Sequence, residues 1–424
     1  MKKTNKICAS LILILIFNSC MDQNPSAPPN FGRDTWLRIT KTLPIEVMNK
    51  MNGIYNVTEG SNFFGEKVIL KFNNNQKDTL LSIYTGVDYL YMVLKVGQSD
   101  SALVFEGYWR NNKDLTTGLV RLSIKSDEGG WDLLSGKTDV KNIIITGTYG
   151  IGREYPMIGL TMKLKKSIFK EESNFAIVAH RGGGRTSDLL PASENSLGII
   201  KLAMQYGATG IEIDVRATKD DVLIVYHDDY YTTRLINGEY ILGAVKDYTY
   251  KQIRTFCTLK DGSLIPTFRE ALDVVLYSTN IESVWIDTKA TNIIDKLISI
   301  QQEYKIKAEQ EHRKLTIYIG IPDETIYNEF LNHPQHLQSD AICEIGLDES
   351  IKCGAKIWAP RWTLGMMTNE INQAHAKNIK VYLWTVDDSE FMKQFIKEGL
   401  LDGILTNFPY RVAWEYYTWK YDVP

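Results

Sequence analysis

The strongest constraint on the fold is a change of rhythm partway along the chain. From residue 175 onward, short apolar runs alternate with stretches of helical apolar period. The runs fall at 175–179, 210–215, 222–226, 283–287, 315–320, 341–345, 379–384 and 403–406, and helical patterns at 193–206, 268–276 and 368–376 separate several of them. Eight strand–helix units over about 250 residues match a (β/α)8, TIM-type barrel. A doubly wound open sheet is the alternative. It asks for a glycine-rich phosphate turn after its first strand, which Gly182-Gly183-Gly184 offers only loosely.

The preceding part has a different texture. After a short helix at 44–51 that opens with Pro44, extended segments at 68–72, 89–94, 102–105 and 143–146 are separated by polar turns such as 73–75 and 98–100. Short strands at regular spacing predict a mostly antiparallel β domain, a lipocalin-like barrel or a sandwich. Gly53-Ile54-Tyr55 and Gly147-Thr148-Tyr149 faintly resemble the Gly-x-aromatic signature of lipocalin-like barrels. The segment holds no histidine and no acidic cluster, so the expected role is structural or binding, with its partner unknown. A charged joint at 165–174 divides the β-rich domain, 44–165, from the barrel, 174–424.

Composition excludes several classes. With 44% hydrophobic and 11% aromatic residues, the chain has material for sizeable cores and does not resemble a disordered scaffold. Its 48 basic residues against 51 acidic ones leave a net charge of −3, so no nucleic-acid partner held by bulk positive charge is expected. Five cysteines do not build a disulfide miniature. At the start, Lys2, Lys3 and Lys6 precede an apolar run at 7–17 and the triplet Asn18-Ser19-Cys20. That pattern predicts an export signal over 1–19. Its run is too short to span a bilayer. Cys20 resembles the lipidated cysteine of bacterial lipoproteins, which implies the bacterial cell envelope and membrane contact through the lipid anchor only. Residues 20–43, polar and Pro-rich at first, are expected to form a tether. A Cys343–Cys353 disulfide is allowed by the sequence and not decided by it.

The chemistry gathers where predicted strands end. His180-Arg181-Gly182 follows the first run, Glu212-Ile213-Asp214 lies in the second, His227-Asp228 ends the third and Asp287-Thr288-Lys289 ends the fourth. Residues two apart on a strand share a face, so Glu212 projects with Asp214, and Asp287 with Lys289, while Ile211, Ile213 and Val215 face the helices. Inward charges at a barrel rim are costly unless they bind something. Three carboxylates suit a hard divalent cation. Two imidazoles suit a general acid and a general base. Arg181 and Lys289 can hold an anionic oxygen.

These residues, with Glu194-Asn195-Ser196, Trp384-Thr385-Val386 and the run from Asp402 to Pro409, resemble the glycerophosphodiester phosphodiesterase family, in the family's order over roughly 175–410. The resemblance implies a TIM-type barrel that uses Ca2+ or Mg2+ to cleave a small-molecule glycerophosphodiester into glycerol 3-phosphate and an alcohol. By motif position, His180 and His227 resemble the acid–base pair, and Glu212, Asp214 and Asp287 the metal ligands. Arg181 and Lys289 resemble the phosphate contacts and Trp384 the wall for the glycerol. Glu194 is placed with this substrate-binding group, in support of the metal or of Arg181. Two departures stand out. Most members carry Glu where this chain has Asp287, and the loop between Arg181 and Glu194 is longer, with Pro191-Ala192-Ser193 before the Glu. The stretch 229–265 resembles the family's small inserted cap. Two other functions remain open: a phospholipase C or D type activity on intact lipids, which asks for an exposed apolar rim at the mouth, and an inactive envelope binding lipoprotein. His333 and His336 are read as a surface loop, and His312 and His375 as solvent-facing.

Overall fold

The computed structural model describes residues 25–74, 79–100, 102–137, 139–168, 174–238 and 240–422. The expected export signal and Cys20 lie outside the described residues.

The first domain is a closed antiparallel barrel, not a sandwich. Its strands are β1 (Gly53–Glu59), β2 (Lys67–Asn74), β3 (Thr79–Thr85), β4 (Leu90–Ser99), β5 (Ala102–Asn111), β6 (Thr117–Ile124), β7 (Ile144–Tyr149) and β8 (Ile158–Ser167). Each pairs with the next, and β8 returns to β1. Alternation explains the closure. Tyr55, Leu70, Met92, Leu94, Phe105, Trp109 and Leu122 point inward and fill the interior. Their neighbours Ile54, Ile69, Tyr84, Tyr91, Val93 and Tyr108 point outward, yet they are equally buried, because that outer face is pressed against the second domain.

The expected tether needs correction over its described part. Residues 25–43 fold against the barrel through short 3-10 turns at Gly32–Asp34 and Trp36–Ile39. The reason is a buried ion pair on the barrel wall, Arg121 with Glu106 at 2.5 Å. The segment completes that pair's hydrogen bonding: the Thr35 hydroxyl and Trp36 N–H donate to Glu106 at 2.6 and 2.9 Å. Phe31 and Trp36 cover the guanidinium at 4.3 and 4.2 Å. Leaving a buried charge partly unsatisfied costs a fold dearly, so the segment is ordered despite its polar composition.

The second domain is the expected (β/α)8 barrel. Along the chain come β9 (Ala176–Ala179), β10 (Gly210–Ala217), β11 (Leu223–Val225), β12 (Ile236–Asn237), β13 (Thr258–Leu259), β14 (Ser283–Thr288), β15 (Thr316–Ile321), β16 (Ala341–Cys343), β17 (Ile357–Trp358), β18 (Lys380–Leu383) and β19 (Gly403–Thr406). The closed ring runs β10-β14-β15-β16-β17-β18-β19-β9, all parallel. The run at 222–226 is not one of its staves. It contributes β11, which turns back antiparallel on β10, with Val215 opposite Val225. The eighth stave is β17, two residues long and so silent in the sequence pattern. Val178, Trp285, Ile342, Ile357, Tyr382 and Leu405 fill the barrel's interior. Residues 229–265, with β12 and β13, form a cap over a small core of its own around Tyr226, Leu235, Ile241, Ile253 and Ile265. Cys343 and Cys353 are buried free thiols, so the disulfide that the sequence allowed is not formed. Among the described residues no helix is long and apolar enough to cross a membrane.

Candidate active site

Strand β10 reads Gly-Ile-Glu-Ile-Asp-Val-Arg-Ala, and its isoleucines bury outward under the helices. Glu212 and Asp214 therefore face the barrel axis, and the parallel register sets Asp214 beside Asp287 of β14. One oxygen of each acid is held by the protein. The Arg181 N–H donates to Glu212 Oε2 at 2.7 Å, the Asn195 amide to Asp214 Oδ2 at 2.7 Å, and Lys289 Nζ lies 2.5 Å from Asp287 Oδ2. The other three oxygens, Glu212 Oε1, Asp214 Oδ1 and Asp287 Oδ1, are buried without a hydrogen-bond partner. One oxygen from each acid lies within 4.8 Å of the others.

That is the fit a hard cation requires. With bonds of 2.3–2.6 Å to calcium, ligand oxygens lie at most about 5 Å apart. The electrostatics agree. Burial, then the charges of Asp214 and Asp287, pushes the Glu212 carboxyl well above its ordinary range, and burial with Asp214 raises Asp287. For Asp214 burial works the same way, but His227, Lys289 and Arg181 outweigh it and hold the group below its usual value. Three acids that repel one another call for positive charge between them.

Both histidines are fixed at Nδ1, which leaves Nε2 as the free nitrogen of each ring. His180 Nδ1 is 2.8 Å from Asn407 Oδ1, and the amide's orientation is set because Asn407 Nδ2 donates to Asp387 at 2.6 Å. His180 therefore carries its proton on Nδ1 and presents a lone pair at Nε2, 3.8 Å from Glu212. Burial and the neighbouring Arg181 push its pKa down to about 4, which keeps it neutral. His227 Nδ1 meets a carboxylate instead, Asp228 at 2.8 Å. Asp228 is in turn held by Arg234 at 2.6 Å. The β10–β11 turn brings His227 back to the level of Asp214, since Tyr226 N–H donates to the Asp214 carbonyl at 3.0 Å.

Arg181 and Gly182 both take left-handed backbone angles, φ +53° and +82°. This tight turn aims the Arg181 N–H at Glu212 and swings the guanidinium to Glu194, 2.6 Å away. Glu194 is almost fully buried, and it also accepts from Thr186 N–H at 2.7 Å and faces Arg234 at 3.4 Å. Of the two supporting roles expected for Glu194, the structure shows the one toward Arg181: an acid enclosed by two guanidiniums positions Arg181. Lys289 spans Asp287 and Asp214, at 2.5 and 3.6 Å, and those acids raise its pKa despite burial. Trp384 follows β18 at the rim, and its indole N–H donates to the Ala359 carbonyl at 2.7 Å. His333 and His336 sit in a local turn remote from these groups in sequence, where His333 Nδ1 accepts from Gln335 N–H.

Five supporting residues were not singled out by the sequence. Arg216 donates twice to the His227 carbonyl, at 2.9 and 2.7 Å, and once to that of Lys289 at 2.9 Å. Its alternation with Glu212 and Asp214 was a usable signal. Asn195, Asn407 and Asp387 hold ligands or the histidine and lie within or beside the quoted motifs. Glu344 continues the inward parity of Ile342, and its carboxyl is raised well above normal by burial and by Asp287.

Residues 180–322 match the Glycerophosphoryl diester phosphodiesterase family. A glycerophosphodiester phosphodiesterase of Caldanaerobacter subterraneus subsp. tengcongensis is 29% identical over 245 residues, which is 55% of this chain and 94% of that protein. Another, from Bacillus altitudinis, is 29% identical over 233 residues, covering 52% of this chain and 91% of its own. A solved glycerophosphodiester phosphodiesterase from Parabacteroides distasonis aligns with 57% of this chain and 96% of its own at 20% identity, with a TM-score of 0.44.

Proposed function

With residues 180–322 belonging to the glycerophosphoryl diester phosphodiesterase family, we propose that this chain hydrolyses glycerophosphodiesters to glycerol 3-phosphate and an alcohol. The observation that carries the reading is the trio Glu212, Asp214 and Asp287, each with one buried carboxylate oxygen that has no hydrogen-bond partner and one oxygen within 4.8 Å of the others', together with the two histidines. Glu212, Asp214 and Asp287 would hold the cation, Ca2+ or Mg2+, which supplies charge stabilisation to the phosphoryl oxygens when bound. Arg181 and Lys289 bind the diester's remaining oxygens. His180, neutral and with Nε2 open, takes the proton of the nucleophile, either water or the glycerol 2-hydroxyl. His227, whose Nδ1 is held by the Asp228 carboxylate so that Nε2 is presented, delivers a proton to the leaving alkoxide. Attack by the 2-hydroxyl passes through a cyclic phosphate that is then hydrolysed.

The test is release of glycerol 3-phosphate from glycerophosphocholine by the purified protein with Ca2+, Mg2+ or Mn2+. His180→Ala and His227→Ala should each lose about 10²–10⁴-fold in kcat. No product with any of the three ions, or near wild-type turnover by either variant, would sink this assignment.

One observation favours a second reading, phospholipase action on intact lipids. The cap beside His227 exposes Tyr240 and Leu242 at 81% and 78%, together with Tyr230, on one ribbon in which Tyr230 pairs with Ala244. Micellar lipid hydrolysed faster than its deacylated headgroup would select this reading. We also propose that Cys20 anchors the protein in the bacterial envelope, which radiolabelled palmitate incorporation, lost in Cys20→Ala, would establish.

A further inference from the structure

We propose that Arg361 makes this site selective for phosphodiesters that carry a second anionic group. The inference rests on the proposed activity and concerns the far side of its mouth. In the ring of staves, β17 lies opposite β10 and β18 lies opposite β14. The acids and Lys289 therefore occupy one wall, and Trp384 and Arg361, which follow β18 and β17, occupy the other. Ile357 and Ala359 point into the barrel, and Arg361 continues that alternation one step above them, at the rim. It bridges to Trp384 on the adjacent stave, and its guanidinium lies over the indole ring at 5.0 Å.

What sets Arg361 apart is its lack of a partner. Arg181 is paired with Glu194, Arg185 with Asp188, Arg216 with Asp229, Arg234 with Glu194 and Asp228, and Lys289 with Asp287. Arg361 is exposed and makes no ion pair or side-chain hydrogen bond among the described residues. The indole orders it without neutralising it, since a cation over an aromatic face keeps its charge and its five N–H donors. A planar, ordered, unpaired guanidinium suits bidentate capture of a phosphate or carboxylate. With the scissile diester on the opposite wall, the group that reaches Arg361 is a different part of the substrate. The fitting class is a glycerophosphodiester whose neighbouring glycerol bears another anionic group, such as a second phosphodiester.

A matched pair of probes tests this: glycerophosphoglycerol, with one phosphodiester, and bis(glycerophospho)glycerol, with two. The wild-type protein should show a higher kcat/KM for the second. Arg361→Gln should lower kcat/KM about 10–100-fold for bis(glycerophospho)glycerol, the scale of a hydrogen bond to a charged group, and change glycerophosphoglycerol less than about twofold. Arg361→Lys, which keeps charge without the fork, should fall between. An equal loss on both probes would show that Arg361 only props Trp384, and no wild-type preference would show that it selects nothing; either overturns the proposal and leaves the activity standing. Wild-type protein that turns over neither probe would overturn the activity and the proposal with it.

Discussion

At the scale of single residues, the two histidines differ in what holds Nδ1. A neutral amide, oriented by Asp387, holds His180, and a carboxylate holds His227. Asn407→Ala frees the His180 ring, and a loss of about 10–100-fold in kcat/KM is expected, the usual scale for an outer-sphere support. With His180 near pKa 4, the free-enzyme rate profile should show no acid limb at the ordinary histidine value of about 6.5. The acids make a second pH prediction. Glu212 and Asp287 titrate above their ordinary range, whereas the unfolded chain releases those protons near its reference values. The cation-free fold therefore loses stability as pH rises through the raised values, and a cation that binds the deprotonated acids offsets this loss. Added Ca2+ or Mg2+ should raise Tm more at pH 8 than at pH 5, by differential scanning calorimetry. An equal shift at both pH values would count against cation binding at these acids.

Among the elements, the β10–β11 hairpin does what a stave was expected to do. Its length, and not a strand end, returns His227 to the level of Asp214, and Arg216 locks it there through the His227 carbonyl. Arg216→Met keeps the aliphatic stem and removes these bonds. The expected result is unchanged far-UV circular dichroism with kcat reduced at least about tenfold, equivalent to roughly 1.4 kcal/mol of transition-state stabilisation. Full activity in that variant would show that the turn alone positions the histidine. The misassigned stave has a physical cause: a strand's apolar period reports its buried face and is silent about the direction of its partner. The two-residue β17 has no period to read.

For the whole molecule, the accessory barrel is part of the enzyme's frame. Tyr91 packs between Tyr206 and Tyr410, at 5.4 and 4.6 Å, and Tyr89 meets Phe408 beside the motif that holds His180. Arg110, from β5, donates to the Leu189 carbonyl of the mouth loop at 2.6 Å, and Asp422 after the last helix is paired with Lys67 at 2.8 Å and with Lys165. Joined cores unfold together, so heating should give one cooperative calorimetric transition. Tyr91→Ala should cost about 3 kcal/mol of stability, the scale of a buried aromatic truncated to a methyl group. Two transitions separated in temperature, the lower one abolished by Tyr91→Ala, would mean that the barrels fold independently.

Much of the site was legible beforehand because it depends on local order. Alternation along one strand put Glu212 and Asp214 on a common inward face, and motif spacing collected His180, His227, Asp287 and Lys289 at strand ends. Contacts between distant segments were not. Which group holds His180, why Glu194 serves Arg181, and why the outer face of β1–β5 is buried depend on partners 13 to more than 200 residues away. Periodicity along a chain carries the face a residue shows. Only packing decides what stands opposite it, and that choice sets charge, tautomer and exposure.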